Sequence, residues 1–580
     1  GVIALFGVVA YKYVAWFLAL DGDQKKSVGK GLFSMKTIRA VMAVIRESLL
    51  HVSIFRHNKL LGYMHCSLAF GWFLLIVVGS VEVAAIIGSG SPLYVHIFFK
   101  YFHPVLAVEG VAVFFSQIMD LLLLFVLSGV ALAWFKRLKK GSMGMRKRSK
   151  HTLGDKVALT ALWFIFPVRL LAESITSGIY ESGGFLTGSI GRLLAHIPFL
   201  SDLEMPAWWL YSIVLCLFFI AMPFSRYMHI LTEIPHIFLK YWGVRPTHKA
   251  GKGDNFQIHS CSRCGICIDP CQLQSDLNIN SVQAVYFLRN RRADHVDNES
   301  IDNCLMCGRC ENKCPVGIDI NTLRLSSRHA LRGGEVPDSR YRYLTGGAPK
   351  VEAVCKVGYF AGCMTLLAPA TLKSMEKIFA ASGDEVWFAD RDGGVCCGRP
   401  LRLSGDVEAA QKMVDFNLSL FLQSGITTLV TSCPICLKTF REDYRLQDRG
   451  IEVLHHTQYI ERRIAEGALT VQPSSLTVTY HDPCELGRGL GIYEEPRMVL
   501  SRCAILVEME QNRSHALCCG HSLANNRLLQ EEKNVISKNV LKMVPCNTLI
   551  TACPQCKSAF NVNRQGIKVM DISELVAQSL

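Results

Sequence analysis

Eight cysteines fall in two short runs of one spacing, Cys261-x2-Cys264-x2-Cys267-x3-Cys271 and Cys304-x2-Cys307-x2-Cys310-x3-Cys314-Pro315. Gaps of two and three residues let a tight loop turn successive thiolates toward one centre, and this run is one that holds 4Fe-4S cubes. Zinc is the rival chemistry, because Cys-x2-Cys also builds zinc knuckles. A zinc site closes with four ligands, however, and rarely draws on eight in two matched runs. The first run departs from the pattern in one place: Pro270 precedes Cys271, and Gln272 stands where the proline is usual.

A second constellation is repeated. The first copy reads Gly358-Tyr-Phe-Ala-Gly-Cys363, Val395-Cys396-Cys397-Gly398 and Ser432-Cys433-Pro434-Ile435-Cys436. The second reads Tyr480-His-Asp-Pro-Cys484, Leu517-Cys518-Cys519-Gly520 and Ala552-Cys553-Pro554-Gln555-Cys556. Intervening lengths are 32 and 35 residues in one and 33 and 33 in the other, as duplication requires. Five thiols exceed a zinc site's four, and two adjacent cysteines fit a tetrahedral zinc finger poorly, so an extended, irregular iron-sulfur centre is the better account. Cys433-x-x-Cys436 and Cys553-x-x-Cys556 taken alone match a thiol-disulfide exchange motif. Their fixed distance from a Cys-Cys-Gly favours metal ligation over exchange. Any disulfide chemistry would then occur on the metal centres, with His455 or His481 as possible proton donors. Cys355, Cys503 and Cys546 lie outside the repeat and are expected as buried apolar residues. Gly487, Gly489 and Gly491 lack dinucleotide-binding spacing and are expected as a flexible turn.

The paired eight-cysteine runs resemble the bacterial two-cluster ferredoxins. That resemblance implies one cube on Cys261, Cys264, Cys267 and Cys314, and another on Cys304, Cys307, Cys310 and Cys271. The duplicated Cys...Cys-Cys-Gly...Cys-Pro-x-Cys pattern resembles the cysteine-rich domain of the heterodisulfide reductase catalytic subunit, shared with membrane oxidoreductases served by electron-transferring flavoprotein. It implies a noncubane 4Fe-4S cluster in each copy, held as catalytic centres by Cys363, Cys396, Cys397, Cys433 and Cys436, and by Cys484, Cys518, Cys519, Cys553 and Cys556.

The elements that must position these thiols divide the chain of 580 residues. Half of it is apolar, and 21 of the 23 cysteines follow residue 260, so a membrane portion precedes a reduced, cluster-bearing one. Five apolar stretches approach bilayer length, at 2–20, 66–88, 111–135, 157–175 and 208–230. The first carries Lys12 and is short, reading as the remnant of a longer segment or signal in a chain that opens on Gly1. Lys25, Lys26, Lys30, Lys36 and Arg39 lie between the first two stretches, and Lys136, Arg137, Lys139, Lys140, Arg146 and Arg148 between the third and fourth. The other two connections hold Lys100 and Arg192. Five spans thus place the N-terminus outside and the cluster half in the cytoplasm. The net charge of +14 is topological, and no nucleic-acid partner is expected.

Haem b between two helices takes one axial nitrogen from each. His65 and His229 match in depth at the cytoplasmic ends of the second and fifth spans, and His57 with His236 forms a second pair further inward. Glu82, Arg169 and Glu173 are intramembrane candidates for a quinone site or a structural ion pair. Five spans with these histidines resemble the cytochrome b subunit of respiratory nitrate reductase, which implies quinone and haem b.

The expected architecture is multidomain: an all-α five-helix transmembrane domain (1–245), a two-cluster ferredoxin domain (246–340) entered through the polar linker Lys249 to Asp254, and a duplicated α/β cysteine-rich domain (341–466 and 467–580). Turn-rich sequence at Gly333-Gly334 and Gly346-Gly347 marks the second boundary. Strands at 428–431 and 476–479 and helices at 408–422 and 528–543 set the α/β pattern. The expected function is electron transfer between a cytoplasmic partner, such as electron-transferring flavoprotein, and membrane quinone, at the inner membrane. Disulfide reduction on the noncubane clusters is the alternative, and a zinc scaffold the non-redox one.

Overall fold

The computed structural model describes residues 1–86, 110–138, 152–247, 250–295, 297–332, 355–391 and 395–580. Lys100, Lys139, Lys140, Arg146, Arg148, Lys249, the last two residues of the second expected span and the glycine pairs at 333 and 346 lie outside them. The chain forms two compact units. One comprises 1–245 with 251–266 and 314–318; the other comprises 246–250, 267–313 and 319–580. The stretch expected as a ferredoxin domain is shared between them.

The first unit is helical. Its main elements are α1 (Val2–Leu18), α2 (Gly22–Leu32), α3 (Lys59–Ile86), α4 (Gly110–Leu138), α5 (Leu153–Tyr180), α6 (Leu200–Ala221) and α7 (His229–Tyr241). Among the described residues four helices are long and apolar enough to cross a bilayer, over Lys59–Glu82, Gly110–Leu138, Leu153–Tyr180 and Leu200–Phe224. The first expected span differs. The 17 residues of α1 reach roughly 25 Å, after which the chain turns by 113° into polar α2, where Asp21 and Gln24 form a capping box. The pair counts as a fifth span only if it crosses as a broken one.

The fifth expected span also ends early. Met222-Pro223-Phe224 tightens into a 3-10 turn, and a new helix begins at His229. Inside the bundle Leu123, Val126, Ile165, Phe166, Trp208 and Phe218 pack together. Large apolar side chains such as Phe114, Leu121, Trp209 and Ile213 face outward, as a lipid-facing surface permits. Gly178 and Gly191 let two helices touch, since a Cβ on Gly178 would stand 2.5 Å from the Gly191 carbonyl oxygen.

The second unit holds the duplication as two parallel four-stranded sheets. The first has strands β1 (Val357–Phe360), β2 (Val386–Phe388), β3 (Thr428–Thr431) and β4 (Glu452–His455), in the order β2-β1-β3-β4. The second has β5 (Thr477–His481), β6 (Ile505–Leu506), β7 (Thr548–Thr551) and β8 (Lys568–Asp571), in the order β6-β5-β7-β8. All pairings are parallel, with helices between the strands. In each sheet the order reverses between the two central strands, which is where an open α/β sheet gathers ligands at its carboxyl edge. Cys363 and Cys433 follow β1 and β3, and Cys484 and Cys553 follow β5 and β7.

Candidate iron-sulfur and haem sites

In the first copy the thiols form one continuous chain of side-chain contacts, Cys363 to Cys396, Cys396 to Cys397, Cys397 to Cys436 and Cys436 to Cys433. The second copy repeats it as Cys484, Cys518, Cys519, Cys556 and Cys553. Hydrogen bonds from neighbouring thiols pull Cys397 and Cys519 well below the usual thiol range, while the donors Cys396, Cys436, Cys518 and Cys556 are pushed up. The middle of each set is thus the preferred thiolate.

The surrounding backbone is fixed from the same elements. Asn417 Nδ2 donates to the Cys396 carbonyl at 2.8 Å and the Tyr444 hydroxyl to that of Cys397 at 3.1 Å. Ser537 Oγ donates to the Cys519 carbonyl at 2.6 Å. Gly398 and Gly520 have φ of +81° and +85°, the left-handed backbone that favours glycine. Gly362, also left-handed at φ +85°, leaves a cradle: a Cβ there would lie 3.1 Å from Cys436 Sγ and 3.3 Å from Cys433 Cβ. Its backbone N–H and that of Ala361 donate to Asp390 at 2.7 and 2.8 Å.

Five thiols in one contact chain, two of them beside the Gly362 cradle, suit a multi-iron cluster better than a single ion. Among the described residues no three His, Cys, Asp or Glu side chains converge on a single ion.

The dicluster runs share a backbone as well as a spacing. Arg263 and Gly265 in the first, and Met306 and Gly308 in the second, all have positive φ. In the first unit Cys314 stands near Cys261 and Cys264, and burial pushes its thiol up to about 12. In the second unit Cys271, Cys304, Cys307 and Cys310 gather; burial takes Cys271 up to about 12, and the Cys518 thiol draws Cys307 down to about 5. Cys267 belongs to the second unit.

Three histidines line a small, partly open pocket in the first unit, together with Glu47, Ser53, Ile54, Glu233, Ser262, Pro315 and Val316. They are His51, His65 and His229. His229 Nδ1 donates to the Arg226 carbonyl at 2.7 Å and His51 Nδ1 to that of Leu49 at 3.0 Å, the kind of bond that orients a metal-bound imidazole. The His51 and His65 rings stack at 5.5 Å. The three imidazoles supply nitrogens of the type a haem iron takes.

His236 is buried in α7 beside the Val316 and Gly317 carbonyls, and burial lowers it to about 4; the side chain of its expected partner His57 lies outside the described residues. One helix serves several parts of the site. α7 carries His229 at its start, receives a hydrogen bond at the Thr232 carbonyl from Ser260 Oγ at 2.9 Å, and donates from Lys240 Nζ to the Gly317 carbonyl at 3.2 Å. Ser260 precedes Cys261, and Gly317 closes the loop after Cys314.

Sequence reading did not single out His51, Glu47 or Glu233, because no local motif links three positions that only the fold brings together. Arg169 and Glu173 pair with each other at 2.9 Å, and Glu82 is buried. His481 is buried and donates from Nε2 to the Leu517 carbonyl at 3.0 Å; His455 is buried with Nδ1 toward Thr457 Oγ1 at 2.8 Å. Cys503 is fully buried as expected. Cys355 and Cys546 are only half-buried, and Cys546 Sγ lies 3.3 Å from the Thr548 carbonyl it bonds. Gly487–Leu490 forms a short helical turn in place of a flexible one.

The sheets, the two thiol chains and the paired loops define an iron-sulfur protein with a dicluster module and a duplicated cysteine-rich module. Residues 257–318 match the 4Fe-4S dicluster domain family, and residues 357–441 and 478–561 each match the cysteine-rich domain family. The chain is 31% identical over 258 residues to a polypeptide of the dihydromethanophenazine:CoB--CoM heterodisulfide reductase of Methanosarcina barkeri, covering 40% of this chain and 60% of that protein. It is 28% identical over 205 residues to the EtfAB:quinone oxidoreductase of Syntrophomonas wolfei, covering 32% of this chain and 28% of that one. It is 31% identical over 196 residues to the probable iron-sulfur-binding oxidoreductase FadF of Bacillus subtilis, covering 31% and 27%. The chain therefore spans less than two thirds of each of these relatives.

Proposed function

We infer that this protein is a membrane-anchored iron-sulfur oxidoreductase that moves electrons between a cytoplasmic flavoprotein and membrane quinone. The observation that carries this reading is the repeated five-thiol chain at the carboxyl edges of two sheets, in a polypeptide that also has four helices of bilayer length. Cys261, Cys264, Cys267 and Cys314 would hold one cube, and Cys304, Cys307, Cys310 and Cys271 the other. The ten cysteines of the two copies would hold noncubane clusters, and His65 with His229 a haem b. Bound there, these groups supply one-electron steps between a two-electron flavin donor and a quinone that takes up two electrons and two protons to become hydroquinone.

The chain's own part is placement. Asp390, Asn417, Tyr444 and Ser537 fix the thiol-bearing backbone, and the Arg226 and Leu49 carbonyls orient the pocket histidines. The cluster half faces the cytoplasm in this reading, since the basic loops lie on that side. A second haem on His57 and His236 has less support, because His236 faces the loop after Cys314.

Purified protein should show a reducible b-type haem spectrum and about sixteen irons per chain, four for each of four clusters. Absence of haem ends the quinone arm, and zinc in place of iron would establish the scaffold reading. A flavoprotein that co-purifies and reduces the haem supports the stated direction. Reduction of a disulfide with no response to flavoproteins would instead favour the heterodisulfide reading, which the similarity to the Methanosarcina reductase supports.

A further inference from the structure

Gln272 occupies the place where the dicluster pattern has proline, and the structure gives it a partner 246 residues away. The Cys518 backbone N–H donates to Gln272 Oε1 at 2.7 Å, and Gln272 Nε2 donates to the Cys518 carbonyl at 3.1 Å. The amide thus closes a two-bond ring on one residue of the second copy's Cys-Cys pair, and it is only 2% exposed. Proline at this position would supply neither bond.

The junction extends beyond one residue. Arg488 Nε donates to the Cys307 carbonyl and its Nη1 to the Ala516 carbonyl, each at 2.7 Å. Asn525 Nδ2 donates to Asn303 Oδ1 at 3.0 Å. Cys271 and Cys307, from the dicluster runs, pack with Cys484 and Cys518, from the second copy, around Leu273, Leu305 and Ile536. The first copy is reached by the dicluster helix α8 (Ile320–Arg332), whose Arg328 donates to the Leu403 carbonyl.

We propose that Gln272 is a positioning residue, which with Arg488 seats Cys307 against Cys518 so that electrons pass between the dicluster module and the second copy. This rests on the reading that both copies hold iron-sulfur clusters. Each transfer moves one electron: the donor centre is oxidised by one and the acceptor reduced by one, with no bond made or broken.

The test uses the full-length protein and electron paramagnetic resonance. Iron counting of the wild type comes first, because about eight irons instead of about sixteen would overturn the cluster reading and the junction together. With iron present in both copies, the second copy's signal should relax faster when the neighbouring cube is reduced. Cys519→Ser should abolish that interaction and Cys397→Ser should leave it; the reverse outcome overturns the proposal. Gln272→Met keeps the side-chain length and loses both bonds. It should retain iron, lose the relaxation enhancement and slow freeze-quenched electron arrival at the second copy. Full iron with unchanged relaxation and rate would overturn it. Should Gln272→Met fail to assemble, Gln272→Glu, which still accepts from the Cys518 N–H, is read in its place: an intermediate loss supports the junction, and wild-type behaviour overturns it.

Discussion

Arg263, set between two dicluster cysteines, forms a buried ion pair with Asp155 at the amino end of the bilayer-length helix α5. Asp155 also caps that helix with Thr152 and accepts from the Arg226 backbone N–H at 2.7 Å. One carboxylate therefore ties together a helix start, the turn before His229 and the loop between Cys261 and Cys264. Arg263→Leu leaves the carboxylate short of its partner inside the protein. Loss of about 3–5 kcal/mol is expected, read as a lower unfolding midpoint in detergent together with loss of one cube's resonance signal. An unchanged midpoint would refute the tie.

His65→Ala and His229→Ala should each remove the b-type haem absorption, because an axial pair needs both nitrogens. His236→Ala should leave it intact. Pyridine haemochrome content of the three variants decides between the pairs.

Asp390 gives a pH signature. Burial raises its carboxyl from 3.8 to about 7 despite the two backbone bonds it accepts. Between these values the folded chain binds a proton that the unfolded chain releases, so this group makes unfolding easier as pH rises from about 4 to 7, with little further change above. Asp390→Asn should flatten that part of the curve. The difference in unfolding midpoint between wild type and variant across about pH 5 to 8 measures it, and parallel curves would count against it.

Arg328 is completely buried and holds both copies at once, through the carbonyls of Leu403 and Ala524, with Ile301 as a third acceptor. Arg328→Leu strands these acceptors, each worth about 1–3 kcal/mol. Both copies' cluster signals should broaden together. Broadening in one copy alone would show that the arginine supports that copy only.

What the sequence revealed divides by range. Spacing between ligands is a local quantity, so the cysteine runs, the duplication and the strands after which the thiols fall were legible, with β3 found at its expected limits and helix Val407–Gln423 within a residue of its expected ones. Partnerships such as Gln272 with Cys518 or Arg263 with Asp155 were not, since no spacing links residues so far apart and each pair is joined only by the fold. Hydropathy ran through Met222-Pro223 without registering the break, because apolar composition continues where the helix stops; His229 thereby moved from a span's end to a new helix's start. The first expected span ends at Leu18 in a sharp turn that composition does not register, because apolar content says nothing of where the chain bends.

Helix α7 is 13 residues long, roughly 20 Å at the rise of an α-helix. It carries a pocket histidine at one end and props the loops of Cys261 and Cys314 along its length. In the proposed transfer between a haem and a cluster, such a helix would act as a gauge block, the number of its residues setting the length of the electron's hop.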